Sequence, residues 1–175
     1  MSNPLKVIAT VGLALGGVFG IAGTMVSPPL QAILWAIDGA GLVMATVLLT
    51  IKYFRTGNDV VAGGFLVFAI GEGVLLSSAV ADPESSIPSF AAGITLWGTA
   101  LLLVSVPRLF ALPVRIIGIV SAILFILTAA RIFMGEQLLP TSTPLPADAY
   151  PFLVATFIGW IWMLWRSEKL DGAQT

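Results

Sequence analysis

The sequence predicts an all-α protein, a polytopic membrane bundle of six transmembrane helices arranged as three hairpins. The first observation behind this prediction is composition. Of the 175 residues, 58% are hydrophobic and only 10% are charged, and the mean hydropathy is +1.02. Soluble domains carry about 25% charged residues, and a soluble fold of this size would leave too much apolar surface in water. We therefore expect lipid to surround most of the chain, with residues 1–175 forming a single integral membrane domain.

The second observation is the presence of six apolar segments, each long enough to cross a bilayer, which takes about 20 residues of helix. The predicted spans are residues 5–26, 30–54, 60–81, 88–107, 113–134 and 149–166. Turn-forming sequences separate them, as proline and glycine clusters usually do. These are SPP at 27–29, RTGND at 55–59, ADPESSIP at 81–88, PRLFALP at 107–113 and GEQLLPTSTPLPADAYP at 135–151. Each span should be helical because lipid offers no partner for backbone N–H and C=O groups.

The third observation is the distribution of basic residues. Six spans place the N-terminus, the second and fourth loops and the C-terminus on one side of the membrane. Seven of the eight basic residues lie there: Lys6, Lys52, Arg55, Arg108, Arg115, Arg166 and Lys169. The opposite loops hold only acidic charges: Asp82, Glu84, Glu136 and Asp148. Because basic residues favour the cytoplasmic side, we expect a multi-pass protein of the cell (inner) membrane with both termini in the cytoplasm.

The first span could be mistaken for a signal peptide, because Lys6 precedes an apolar run. Its length, its many glycines and the lack of a clear cleavage site favour a retained membrane helix. Gly12, Gly16 and Gly20 recur every four residues and so lie on one face, where small side chains let another helix approach closely. This face fits internal packing or a homodimer contact. Gly41 in the second span and Gly73 in the third belong to shorter versions of the same pattern.

The division into three hairpins is open to a second interpretation. Two inverted triplets of helices, as found in many transporters, would place the loops equally well. No residue-level self-similarity distinguishes these two arrangements. Trp97 lies in the middle of the fourth span, where packing in the protein core is its expected role.

Three ionisable side chains fall inside the spans: Asp38, Glu72 and Arg131. At 1.5 Å per residue, Asp38 lies about 12 Å and Glu72 about 13–14 Å below the outer ends of their helices. Arg131 lies about one turn from the outer end of the fifth span and can extend toward the headgroups. A charge at the centre of a membrane helix costs roughly 2.5–3.5 kcal/mol. We therefore expect the two carboxylates to face the interior of the bundle at nearly equal depth.

This arrangement allows two interpretations. In the first, Asp38 and Glu72 line an outward-facing polar or ion site with Arg131 nearby, since intramembrane ionisable residues usually serve a function. In the second, Arg131 pairs with one carboxylate as a structural latch between helices. A water-accessible cavity that reaches Glu72 would favour the first, and a sealed contact between Glu72 and Arg131 would favour the second.

Other chemistry is largely excluded by composition. The chain has no histidine and no cysteine, so the usual general base, haem ligands and thiolate metal sites are absent. No P-loop, nucleophile elbow or dinucleotide-binding motif is present. The net charge of −1 gives no basic surface for nucleic acid. We expect no enzymatic activity, no catalytic residues, no cofactor and no metal site.

The function expected from these features is that of a small transporter or channel-like protein, with an outward-facing polar site built on the intramembrane carboxylates. The alternative is a non-catalytic structural or accessory membrane subunit, which uses its small-residue helix faces to hold a partner or a copy of itself. In either case the lipid bilayer is the main partner. The sequence names no ion, solute or protein partner.

Overall fold

A computed structural model describes residues 3–78 and 83–171 of the chain, without the side chains of residues 3, 83–85 and 167–171. This part contains six long helices and one short 3₁₀ turn, Ala147–Ala149. The helices are α1 (Asn3–Gly23), α2 (Pro28–Arg55), α3 (Asp59–Ser78), α4 (Pro83–Ser105), α5 (Leu112–Phe133) and α6 (Tyr150–Asp171). All six are long and apolar enough to cross a membrane. The predicted all-helical class and the six candidate spans are confirmed.

The helix boundaries lie within three residues of the predicted spans except at two places. Helix α4 begins at Pro83, so that Pro88 lies inside the helix and not at its start. A proline there removes one backbone hydrogen bond but does not end the helix so close to its N-terminus. Helix α6 continues to Asp171, beyond the predicted end at residue 166. Residues 79–81 of the third predicted span and Asp82 lie outside the described residues, as do the side chains of Glu84 and Lys169.

The six helices form a closed ring in chain order. Each helix packs against the next, and α6 returns to contact α1. Helices α2 and α3, which belong to different predicted hairpins, pack more extensively than α5 and α6, which belong to one, and so do α4 and α5. The packing therefore does not divide the ring into three hairpins. Large apolar side chains such as Val18 and Ile158 are more than 60% exposed on the outside, which suits a surface that faces lipid.

The glycine face of α1 lies against α2. A Cβ atom added at Gly12 would collide with the carbonyl oxygen of Gly41 and lie 2.9 Å from the Cβ of Ala45. A Cβ added at Gly16 would collide with the side chain of Leu42. Backbone-to-backbone approach of this kind replaces the hydrophobic drive for association that lipid does not supply. A Cβ at Gly73, by contrast, would meet no neighbour within 4 Å, so Gly73 brings no helix close.

Aromatic side chains fill the centre of the helix bundle, from the α2–α3 turn toward the middle of the helices. Tyr53 stacks on Phe65 with centroids 5.5 Å apart, and Phe65 meets Trp160 at 4.8 Å. Phe68 stacks on Trp97 at 5.2 Å and lies 6.1 Å from Trp160. We call this set, together with Phe157, the aromatic column. These buried rings fill the interior of the bundle between the α2–α3 turn and the middle of the helices.

The α1–α2 contact yields a stability prediction. Gly12→Ala should lower the free energy of unfolding by about 1–3 kcal/mol, because the new methyl group meets a backbone oxygen that cannot move aside. Gly63→Ala is the matched control, since a Cβ at Gly63 has no neighbour within 4 Å and alanine is the better helix former. Thermal melting of the purified protein in detergent measures both changes. Equal melting midpoints for the two variants would show that α1 and α2 do not pack as described.

Candidate functional site

A cavity of about 550 Å³ opens at the end of the bundle opposite Tyr53, where α1, α3 and α5 end and α2, α4 and α6 begin. All six helices contribute to its wall, and part of the α5–α6 connection, around residues 138–141 and 146–147, lies at its mouth. Hydrogen bonds within this connection hold its shape: Leu139 N donates to Ser142 Oγ at 2.9 Å, and Asp148 N donates to the Pro144 carbonyl at 2.9 Å. Asp38 and Glu72 both line the cavity.

Asp38 lies in the third turn of α2, and its side chain is only 5% exposed. Tyr150, the first residue of α6, reaches across the ring and donates its hydroxyl hydrogen to Asp38 Oδ2 over a long distance of 3.4 Å. The Tyr150 hydroxyl occupies the space that a side chain at Gly20 of α1 would fill. The second carboxyl oxygen, Asp38 Oδ1, is buried and has no hydrogen-bond partner. Asp38 is thus held at one oxygen and unsatisfied at the other.

Glu72 lies on α3 with 4% of its surface exposed. Its Oε1 atom sits 2.8 Å from the position that a Cβ on Gly39 would take, so the carboxyl group packs against the α2 backbone one residue from Asp38. Its Oε2 atom is buried without a partner. The Trp97 indole N–H faces Glu72 but makes no hydrogen bond of good geometry. The absent side chain at Gly39 therefore creates the space in which the Glu72 carboxyl group meets α2.

Arg131 does not belong to this site. Its Nη2 and Nε atoms bind both oxygens of Glu136, at 2.6 and 3.0 Å, just beyond the end of α5. Arg131 is not among the residues that line the cavity. These hydrogen bonds lower the pKa of the Glu136 carboxyl group. The latch between Arg131 and Glu72, expected as one interpretation, is not found. The Arg131 guanidinium is paired instead with Glu136, five residues along the chain.

Three members of the site were not predicted from the sequence. The sequence predicts core packing for Trp97 and gives no role to Tyr150 or Gly39. Trp97 does pack in the core, stacked on Phe68, but its ring edge also reaches the cavity. Because Tyr150 begins α6, counting residues along the helices places it at the level of the N-terminal end of α2, the helix that carries Asp38. No signal in the sequence shows that its side chain points inward.

The chemistry of the site follows from its charges. Two buried carboxyl groups lie side by side, each with one oxygen that accepts no hydrogen bond. None of the described residues that line the cavity is basic. Burying negative charge without a counter-charge is strongly unfavourable, so two ionised carboxylates at these positions would need a proton or another cation beside them. The described residues contain no group of three or more His, Cys, Asp or Glu side chains suited to a metal ion.

Comparison with known proteins adds nothing to these observations. No family model matches the chain, and neither the curated proteins nor the solved structures contain a significant match.

The placement of Arg131 can be checked by a double-mutant cycle. Glu72→Gln and Arg131→Met should change the melting midpoint additively, because the two side chains share no contact and no partner. Glu136→Gln and Arg131→Met should not be additive, because they remove the two halves of one ion pair. The cycle is measured by thermal melting in detergent at neutral pH. If adding Arg131→Met to Glu72→Gln recovers stability, the two side chains are paired between helices, and the described pairing of Arg131 with Glu136 is contradicted.

Proposed function

We propose that this chain is a small transport protein of the cell membrane, which takes a cation from outside into the cavity and binds it at Asp38 and Glu72. The observation that supports this most strongly is the pair of unpartnered carboxyl oxygens in a cavity open at one end of the bundle. The proposal involves no covalent chemistry, so it assigns no catalytic residue and needs no cofactor.

The energetic argument for a functional site is the cost of the two acids. Each would cost roughly 2.5–3.5 kcal/mol at the centre of a membrane helix, and here neither is offset by a basic side chain in the cavity wall. An apolar pair at positions 38 and 72 would fold more favourably. A cation that binds between the carboxylates gains the attraction that the folded protein leaves unused. It also displaces any proton held there, so binding and proton release would be linked. The titratable groups among the described cavity residues are Asp38, Glu72 and Tyr150.

The proposed orientation rests on the basic residues at the end of the bundle opposite the cavity. Lys6 lies over the ring of Trp165, with its ammonium nitrogen 4.1 Å from the ring centroid. Arg115 donates to the carbonyl oxygens of Ser105 and Val106 at 2.8 Å. Basic side chains favour the cytoplasmic side, so the cavity at the opposite end would open to the outside.

The alternative function, a structural or accessory subunit, has less support. That proposal relied on small-residue faces free to hold a partner or a second copy of the chain. The glycine face of α1 is instead occupied within the ring, because Gly12 and Gly16 meet α2 and Gly20 meets Tyr150. A partner would have to bind elsewhere on the bundle.

Transport can be tested in proteoliposomes loaded with a pH-sensitive dye. Addition of sodium, potassium or quaternary ammonium salts outside should raise the internal pH as a cation enters in exchange for protons. Asp38→Asn and Glu72→Gln should reduce this rate to that of liposomes without protein. Glu136→Gln is the control, because Glu136 is an acid on the same side that does not line the cavity. Equal rates in the parent and in the double variant of Asp38 and Glu72 would refute the proposal.

The orientation can be tested by cysteine labelling, because the chain contains no cysteine. Thr143→Cys in the α5–α6 connection should react with a membrane-impermeant reagent on intact cells. Asp59→Cys at the start of α3 should react only after the cells are opened. Both positions are exposed, so burial does not explain a difference. The reverse labelling pattern would place the cavity on the cytoplasmic side.

A further inference from the structure

We propose that the cation is organic, an ammonium-type group carried on a hydrophobic, ring-bearing body, with the charge between Asp38 and Glu72 and the body against the aromatic wall of the cavity. This inference rests on the proposed function, because it names the class of ligand for the same site. The observations behind it are the size of the cavity, the composition of its wall and the arrangement of its polar atoms.

The size of the cavity suits an organic ligand better than a bare ion. Pockets for drug-sized organic ligands have volumes of about 300–1,000 Å³, and the volume here is about 550 Å³. A water molecule takes up about 30 Å³, so a dehydrated inorganic ion would leave most of the space unfilled. Hard divalent cations also require about six or more oxygen ligands, whereas the acidic residues that line the cavity are Asp38 and Glu72.

The wall of the cavity is suited to an apolar cation. The rings of Trp35, Phe90, Trp97, Phe125 and Tyr150 line it. Aromatic faces attract ammonium groups that have lost their water, by about 0.5–2 kcal/mol for each favourable contact. Aliphatic side chains of α3 and α4 fill the space between the rings. A strongly hydrated ion would gain little from such a wall, and an organic cation would gain both burial and contact with the rings.

The polar atoms are distributed by depth. Thr24 and Gln31 lie near the mouth, at the ends of α1 and α2, whereas Asp38 and Glu72 lie about two turns further in. The Gln31 amide is already used, because it donates to the Gly23 carbonyl at 2.9 Å. Among the described residues that line the cavity, the buried side-chain atoms without partners are Asp38 Oδ1, Glu72 Oε2 and the Trp97 indole nitrogen. The ligand that fits this distribution places its charge at the floor and its apolar part along the wall.

The test compares three probes on the purified parent protein in neutral detergent by isothermal titration calorimetry. Benzyltrimethylammonium carries both a charge and a ring, tetramethylammonium carries the charge alone, and benzenesulfonate carries a ring with the opposite charge. Burial of the ring should make benzyltrimethylammonium bind about tenfold or more tightly than tetramethylammonium. Benzenesulfonate should not bind. This comparison uses the unaltered protein, so its result does not depend on whether any variant folds.

The same titration on variants locates the binding site. Glu72→Gln and Asp38→Asn should each weaken benzyltrimethylammonium by about tenfold or more, because each removes one charge that the cation contacts. Glu136→Gln should bind as the parent does. Melting curves of the ligand-free variants establish that they are folded. Trp35→Leu should weaken the binding of benzyltrimethylammonium but not that of tetramethylammonium.

The possible outcomes separate this inference from the proposed function. If inorganic cations exchange for protons through Asp38 and Glu72, but the ring-bearing probe binds no better than tetramethylammonium, the ligand class is wrong and the transport proposal stands. If the ring-bearing probe binds equally well to the double variant of Asp38 and Glu72, it binds elsewhere and the inference fails. If no cation binds or exchanges, both proposals fail.

Discussion

The organisation of this protein depends on one electrostatic constraint, the burial of two carboxyl groups beside a cavity whose described lining residues include no basic side chain. Asp38 and Glu72 are each about 95% buried, and the membrane-facing surface offers them no water. The protein accommodates them by keeping a cavity beside them, by donating the Tyr150 hydroxyl to one and by leaving out a side chain at Gly39 next to the other. These accommodations are incomplete, because one oxygen of each carboxyl group remains unsatisfied. The proposed cation binding rests on this lack of a counter-charge beside the two acids.

The aromatic column places a condition on any transport through this bundle. Phe68, Phe157 and Trp160 are almost fully buried and in mutual ring contact, and they occupy the interior of the bundle on the side of the carboxyl pair away from the cavity mouth. The proposed transport to the other side would therefore need the helices that carry these rings to separate while the mouth closes. Such alternating exposure differs from a continuous pore, and it gives a carrier mechanism more support than a channel.

The sequence predicted the class, the number of spans and the equal depth of Asp38 and Glu72. These predictions need only the composition, the thickness of a bilayer and a count of residues at the rise of an α-helix. It predicted Arg131 as a possible latch, since a basic residue in the outer half of a span has few partners in a linear description. The contact with Glu136 depends on how the chain turns after α5, which counting does not give. The roles of Gly39, Trp97 and Tyr150 depend on how the helices are rotated within the ring. Rotation is set by packing between helices, such as the Gly12–Gly41 approach, and one sequence does not determine which faces meet.

Tyr150 connects the candidate site to the α5–α6 connection. It is the first residue of α6, so its position follows the α5–α6 connection that lies at the mouth of the cavity. Its hydroxyl meets Asp38 at 3.4 Å, beyond the usual range for an O–H···O hydrogen bond, and so holds it weakly. A cation that reaches Asp38 competes for the same carboxyl group, and it favours any arrangement in which both oxygens can bind it. Release of the Tyr150 hydroxyl would free the N-terminal end of α6 from both Asp38 and the space beside Gly20. Occupation of the site and the position of the mouth would thereby be coupled through a single side chain.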